Sequence, residues 1–553
     1  MSTRQQLSQR PLHGAPVWRR AAHARLASLL TALAVAGLLA FCGAASPSTC
    51  KLTLALVDAE SGAGIPGMVR ITDAAGAATR AETLLSRGVG LPEDSAAAFW
   101  MVVPRELEVK LAFGRYRFVA ISGLETEAAQ AEIDLTGRAA CRLELPLQRF
   151  WNAREEGLRS GNTHLHLMKI SRETCDRYLA EVPLADQLDL VFLSYLERAG
   201  DDAQYTSNRY TVDDLARLER TSGVLFANGE EHRHNFAGYG EGFGHVMFLN
   251  LSRLVLPVSI GPGIMKSGDD GLPLARGIET ARQDGAAVIW CHNEWGLEAA
   301  ANWVAGRVDA QNIFDGGIRS SFKDSFYRYL NAGLRIPFST GTDWFMYDFS
   351  RVYARVDGEL TAKNWLRALA RGQSFITNGP MLSLKAGGAG PGQTVSLERP
   401  GTIEVAGRAA GRIDFEKLEL VRNGRVVAVA GTRNVAGHYE AELRLELPVE
   451  SPCWLALRTP PPSVKEDPEL QQSRPTNELG NELFAHTSAI DVELAGRRLF
   501  DVEAARQLLA RIQAEKEQAA RRGQFPDELA KARVLEVYDQ AVERLLRRID
   551  AAR

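Results

Sequence analysis

Beyond residue 45 the chain carries eight histidines, at positions 164, 166, 232, 234, 245, 292, 438 and 486. Six of them fall between His164 and His292, a clustering that chance scatter does not explain. Imidazoles mixed with carboxylates are the raw material of metal sites and of proton transfer. His164-Leu165-His166 is an H-x-H pair, and on a strand residues i and i+2 share a side, so both rings can face one ion. Glu231 follows the apolar run Val224 to Ala227, His292 follows Val288-Ile289-Trp290-Cys291, and Asp343 follows Ile336 to Thr342. Each stands just past a predicted strand, where barrels and open α/β sheets place their reacting groups. Asp343 alone reads as a helix cap or turn acid; in this company it is a candidate ligand. His245 opens the apolar run after Gly244 and joins the set. Cys291 either softens the site toward zinc or sits in the core, since strand neighbours alternate. His232 and His234, flanking Arg233, either bind an anionic or polar substrate group or belong to a solvated basic loop. Glu294 and Trp295 are candidates for the mouth of the site.

These residues need elements to hold them. Leu188 to Leu193, Val224 to Ala227, Ala286 to Cys291 and Ile336 to Thr340 have buried-strand length. They alternate with helical patterns over Thr211–Arg220, Leu274–Gln283, Leu297–Val304 and Phe322–Asn331. Repeated strand–helix units predict a parallel sheet, open or closed, over residues 155–380. Ahead of it, Leu52, Leu54 and Leu56 alternate with polar neighbours, as do Leu143, Leu145 and Leu147, with a turn-rich stretch at Ser61–Gly67. That spacing predicts an N-terminal β-sandwich over residues 50–150. After Gly379-Pro380 the alternation returns, as in Lys417–Val421 and Ala441–Leu447, predicting a C-terminal β-domain over 381–496. His486 falls there, as a core or surface histidine. Residues 497–553 read as a tail of two helices, divided at Gly523 and Pro526.

The whole is therefore multidomain, as 553 residues require. Arg19, Arg20 and Arg25 precede an apolar run from Leu26 to Phe41 and then Gly43-Ala44-Ala45. This is the pattern of a signal peptide over residues 1–45, ending near Ala45, and so of an exported protein, periplasmic or extracellular. The run is shorter than the roughly 18 to 20 residues of a spanning helix, and no second one follows, so no transmembrane segment is expected. Cys42 leaves a lipid anchor open beside soluble export. Cys50 and Cys141, on the first and last strands of the sandwich, form a bridge or remain two thiols. Charge nearly cancels, with 65 Lys+Arg against 68 Asp+Glu, which excludes a nucleic-acid partner. The 45% apolar fraction excludes wholesale disorder, and six Cys are too few for a disulfide scaffold.

The ordered set Gly161-Asn162-Thr163-His164-Leu165-His166, Gly229-Glu230-Glu231, Gly244-His245-Val246, Cys291-His292 and Gly341-Thr342-Asp343 resembles the PHP (polymerase and histidinol phosphatase) superfamily. The run from Trp365 to Pro380 is similar to the closing signature of its CehA/McbA-like metallohydrolases, as is Ala485-His486-Thr487-Ser488-Ala489-Ile490. The resemblance spans roughly residues 160–495. It implies a central α/β domain built as a distorted (β/α)7-like barrel, which hydrolyses an ester, carbamate, amide or phosphoester. Two family positions depart. Ser194-Tyr195-Leu196 stands where Thr-Asp-His is usual, and Asp343-Trp344-Phe345 where Asp-x-His is usual. In three-metal relatives those two missing imidazoles serve mainly the third ion. The remaining residues map onto the other two: His164, His166, Glu231 and Asp343 around one, and Glu231, as bridge, with His245 and His292 around the second.

The resemblance thus implies a pair of divalent transition metal ions, zinc, manganese or iron. A water shared between the ions is the expected nucleophile, and no side chain is assigned as base. Arg351 aligns with an Arg that commonly follows the last metal motif, and reads as a substrate anchor or a salt bridge. The leading expectation is an exported hydrolase acting on a small-molecule or polymer substrate. The alternative is a non-catalytic secreted binding protein for a glycan or surface polymer, with a vestigial central domain. Nothing in the sequence sets an oligomeric state.

Overall fold

In a computed structural model, residues 49–198, 205–236, 242–263, 268–318, 320–465 and 470–552 are described. The expected signal peptide and the Cys42 anchor lie outside them. The leucine alternation after Thr49 does what its period predicts: strand Thr49–Asp58 buries Cys50, Leu52, Leu54 and Leu56. That strand is the middle of a three-stranded sheet and runs parallel to Ala140–Leu147. A five-stranded sheet is centred on Gly67–Asp73. Side chains from both, including Leu54, Val69, Phe118 and Leu145, share one core. Cys50 and Cys141 are both free thiols, with sulfurs 3.5 Å apart.

The central sheet carries the histidine-rich segments. Leu158–His166, Leu190–Tyr195 and Leu225–His234 are parallel neighbours. Ala287–Trp290, Ala310–Asn312 and Phe338–Ser339 form a second parallel set. Between the sets, Gly244–Leu249 runs antiparallel to both Leu225–His234 and Ala287–Trp290. The sheet is therefore mixed, not parallel throughout as the strand–helix alternation predicts. The reason is chain length: only residues 235–243 link His234 to Gly244, and a parallel crossover needs about a dozen residues or more. The sheet then curls. Asp343–Trp344 returns to pair with Leu165–His166, bringing the far edge back to the first strand.

Helices flank the curled sheet. Val212–Ser222 begins with a reciprocal Thr211–Asp214 capping box and ends at Gly223 with φ 75°. Arg172–Ala185 and Leu274–Gln283 present Leu179 and Ile278 to the interior. The two tail helices, Val502–Arg522 and Glu528–Ala551, start on the side-chain caps Asp501 and Asp527. Their inward residues, among them Leu508, Ile512, Val534 and Leu545, join the core of the central sheet.

Packing runs across the expected domain limits, and Cys50–Arg553 forms one compact unit. Ser374–Thr377 pairs on one edge with Arg351–Arg355 and on the other with Ala485–Thr487, so the ladder continues into the C-terminal β-region. A second core joins Met68, Trp100 and Ile121 to Phe375, Met381 and Leu455. Arg87 reaches from the N-terminal part to Asp186 in a fully buried ion pair at 2.8 Å. Eight α-helices occur among the described residues, and none is long and apolar enough to cross a membrane.

Candidate metal centre

His164 and His166 are the last inward-facing residues of their strand, and period two puts both rings on one side. Their Nε2 atoms lie 3.0 Å apart. Glu231 arrives from Leu225–His234, on the far side of Leu190–Tyr195, with Oε2 3.0 Å from His166 Nε2 and 3.8 Å from His164 Nε2. Asp343 closes the group, its Oδ1 3.4 Å from His164 Nε2 and 3.9 Å from His166 Nε2. On the other side of Glu231, Oε1 is 3.0 Å from His245 Nδ1 and 3.7 Å from His292 Nε2. His164, His166, Glu231 and Asp343 thus form one buried group able to hold a metal ion, and Glu231, His245 and His292 another. Within each group the ligand atoms lie within 4.8 Å of one another, and Glu231 offers a different oxygen to each.

Backbone geometry at two of these positions is unusual. His292, Asn293 and Glu294 are consecutive residues with φ of 52°, 58° and 68°, and Asp343 has φ 60°. Such left-handed conformations cost about 1–2 kcal/mol each for non-glycine residues and persist only where surroundings enforce them. Here Asn293 Oδ1 accepts the Phe314 N–H at 2.6 Å, and Asp315 Oδ1 accepts the His292 N–H at 3.1 Å. Gly341 lets the Asp343 segment approach the first strand: a Cβ there would sit 2.6 Å from His164 Cβ.

Hydrogen bonds decide which ring nitrogens face inward. His166 Nδ1 is 3.1 Å from the Ser194 carbonyl, which can only accept, so that nitrogen carries the proton. His164 Nδ1 donates in the same way to Asp315 Oδ2 at 2.8 Å. Both Nε2 atoms are then bare lone pairs pointing at each other and at two carboxylates. His292 Nδ1 faces Asp315 Oδ1 at 3.3 Å, and His245 Nε2 faces Asn235 Oδ1 at 2.9 Å, leaving their other nitrogens toward Glu231. Glu231 Oε1 and His245 Nδ1 are buried without a hydrogen-bond partner. In these tautomers acceptors converge with no donor between them, an arrangement a cation satisfies, so the donor set fits divalent metals of mixed nitrogen and oxygen preference.

The electrostatics report the same excess of acceptors: the carboxylates of the cage draw protons onto two of the rings, and a metal ion would take the place of those protons. Burial works against a charged His164, yet Asp343, Asp315 and Glu231 outweigh it and push the ring up to about 9. His292 is driven upward by the same contest between burial and Asp315. Burial, then Arg233, holds His245 down to about 3, keeping its inward nitrogen bare. Glu231 stays well below the usual carboxylate range despite burial, because Arg233 and three imidazoles surround it. Arg233 shares the strand face of Glu231, with Nη1 3.6 Å from Oε2, and its Nε is buried without a partner.

The structure brings all six predicted ligands together but separates the remaining candidates. Arg233 and Trp295 stay at the cage, the Trp295 ring 5.2 Å from that of His245. His234 does not: it lies on the back of its strand, with Nε2 2.9 Å from Asp270 Oδ1 and Nδ1 accepting from Phe243 N–H. His232 is there too, 3.0 Å from Glu230. Neither forms a solvated loop; residues 230, 232 and 234 alternate away from Glu231 and Arg233. Glu294 turns from the mouth to the first tail helix, 2.8 Å from Arg511 and 3.7 Å from Arg328. Arg351 is buried on the carbonyls of Phe349 and Asp186, so protein groups, not a substrate, occupy its donors. Cys291 is not confined to the far face: its sulfur groups with His164 and His292, because the chain leaves strand geometry after Trp290. Burial keeps its thiol well above the ordinary range.

Asp315, which joins His164 to His292, has no counterpart in the sequence reading. It follows the strand Ala310–Asn312, an acid just past a strand like the others, but that strand is three residues long and mostly polar. At the two departures from the family pattern, Leu196 is fully buried and Phe345 packs by Tyr178, with ring centroids 6.0 Å apart.

No family model matches the chain, and no curated protein does. Among solved structures, a β-glucuronidase of Parabacteroides merdae is similar at 10% identity and a TM-score of 0.16, over 78% of this chain and 61% of that one. β-Glucuronidase 3 of Bacteroides uniformis is similar at 10% identity and a TM-score of 0.16, over 80% and 63%. The chain thus spans less than two thirds of the enzymes it matches, and likeness at this level carries no argument about fold or activity.

Proposed function

We propose that the chain is an exported metal-dependent hydrolase of the PHP type, CehA/McbA-like, working through a binuclear centre. One observation carries the reading: Glu231 turns one carboxylate oxygen to His164, His166 and Asp343 and the other to His245 and His292. Two cations held close together repel, and a shared carboxylate offsets that repulsion. Two divalent ions, zinc, manganese or iron, would supply Lewis acidity and a water activated at neutral pH. The protein's own part is to hold and orient. Asp315 and the Ser194 carbonyl fix the imidazole tautomers, and the clamped turn at Asn293 sets the position of His292. Arg233, with an unpartnered Nε, presents a guanidinium to an oxygen of the substrate. Trp295 beside His245, and Trp344 with its ring 5.2 Å from that of His166, wall the site and limit water. The apolar burial of Leu196 and Phe345 supports two ions over three.

The same two apolar positions also favour the second reading, a secreted binder with a vestigial centre. Elemental analysis of the purified mature chain and of His292→Ala separates the two. About two equivalents of transition metal, reduced by the substitution, with turnover in a panel of chromogenic esters, phosphates and carbamates, supports the hydrolase. A chain that takes up no manganese or zinc and turns over nothing refutes it.

A further inference from the structure

Away from the cage, a cavity of about 570 Å³ opens where three parts of the fold meet. Its walls come from the π-helical turn Lys323–Tyr327, the hairpin turn at Asn423-Gly424, and helix Val502–Arg522. Among the described residues its lining includes Lys323, Arg328, Arg425 and Arg458 and no carboxylate. Two of these cations are offset from behind. Arg458 Nε donates to Glu419 Oε2 at 2.8 Å, and Arg328 lies 3.3 Å from Asp324 and 3.7 Å from Glu294. The side chains of Lys323 and Arg425 have no ion pair or hydrogen bond among the described residues. That leaves the charges of Lys323 and Arg425 uncompensated on one concave wall beside two paired guanidinium groups, and an anion seated there relieves their repulsion.

A hydrogen-bonded relay forms the floor. Arg458 Nη1 donates to the Tyr327 hydroxyl at 2.9 Å, and that hydroxyl lies 2.8 Å from His486 Nε2. His486 Nδ1 is 2.7 Å from the Thr487 carbonyl, which can only accept, so Nε2 is the acceptor and Tyr327 donates to it. The Tyr327 hydroxyl and both His486 nitrogens are thus satisfied, and Arg458 is held at the cavity wall through Nε and Nη1 while its Nη2 bonds to no described residue. The π-helical turn that supplies Tyr327 is a rare conformation, frequent at functional sites. The volume falls within the roughly 300–1,000 Å³ of small-molecule sites.

We infer that this cavity binds a small molecule carrying at least two negative charges, carboxylate or phosphate, at a site separate from the metal cage. The test is calorimetric titration of the full chain at low ionic strength, with glucarate as the dicarboxylate and fructose 1,6-bisphosphate as the bisphosphate. The expected result is saturable binding of one or both probes, one per chain. It weakens at least tenfold, by about 1.4 kcal/mol, in the Lys323→Gln/Arg425→Gln variant, whose changed side chains are exposed and unpaired. Arg233→Gln, at the cage, leaves that binding in place. The inference is overturned if neither probe saturates below about 10 mM, if the double variant binds as the parent does, or if only Arg233→Gln abolishes binding.

Discussion

Asp315→Asn is the sharpest test of how the cage is held. In the native chain Oδ2 accepts from His164 Nδ1 at 2.8 Å and from Asn312 Nδ2 at 2.9 Å. Oδ1 accepts from His292 N–H at 3.1 Å and faces His292 Nδ1 at 3.3 Å. A carboxylate serves all of these donors; an amide cannot, because one of its two positions becomes an NH2. Whichever way the substituted amide turns, one imidazole meets a donor at Nδ1 and moves its proton to Nε2, into the cage, where it blocks the lone pair a metal needs. Losing an outer partner of a ligating histidine costs about 10–100-fold in metal affinity, or roughly 1.4–2.7 kcal/mol. Since His164 stands with His166 and Asp343 on one side of Glu231 and His292 with His245 on the other, the loss is expected to fall mainly on one ion. Competition titrations with a chromophoric chelator, using manganese and zinc, are expected to show one site near the parent affinity and one weakened by that factor. Two sites that both remain within about threefold of the parent would refute the tautomer argument, because that is below half a logarithmic unit, or roughly 0.7 kcal/mol.

The remaining predictions concern packing and protonation. Gly341→Ala places a Cβ 2.6 Å from His164 Cβ and 2.7 Å from His164 N, so the Asp343 strand must withdraw. Metal titration is expected to show weakened binding in the group containing Asp343, while the Glu231–His245–His292 group retains its ion. Glu298, buried with its carboxylate on the N–H groups of Leu274 and Ala275, is pushed up to about 7 by burial, which those bonds only partly oppose. The folded protein then holds a proton that the unfolded chain releases near 4.5. This group's contribution is therefore fully favourable below about pH 4.5 and declines as pH rises to about 7, by roughly 3 kcal/mol. Glu298→Gln is expected to flatten that part of the stability–pH profile in urea titrations; an unchanged slope counts against it. Arg87→Met leaves Asp186 buried without its 2.8 Å partner and is expected to destabilise by about 3–5 kcal/mol, read as a lower urea midpoint.

The ligand types and their order along the chain were legible because each is a local signal. H-x-H on a strand, or an acid just past an apolar run, needs only period two and the habit of placing reacting groups at strand ends. The same period could have sent His232 and His234 to the back of their strand. It went unread because Asn228–His234 is polar and looks like a loop, whereas in the fold it continues the strand and is mostly buried against distant partners such as Asp270. Glu294 and Arg351 failed for a related reason: their partners, Arg511 and the Asp186 carbonyl, lie more than 150 residues away in sequence. Asp315 sat behind a strand too short and polar to announce itself.

Local pattern by itself therefore determined which side chains are candidates for a metal site and that strands present them. Tertiary structure alone decided that the sheet is mixed and curls until Asp343 pairs beside Leu165, that Glu231 divides its two oxygens between separate groups, and that Asp315 ties those groups together. Periodicity reports only which side of an element a residue faces. Distances of a few ångströms between residues far apart in sequence depend on how sheets close and cores pack, and those follow from the sum of many contacts across the whole chain.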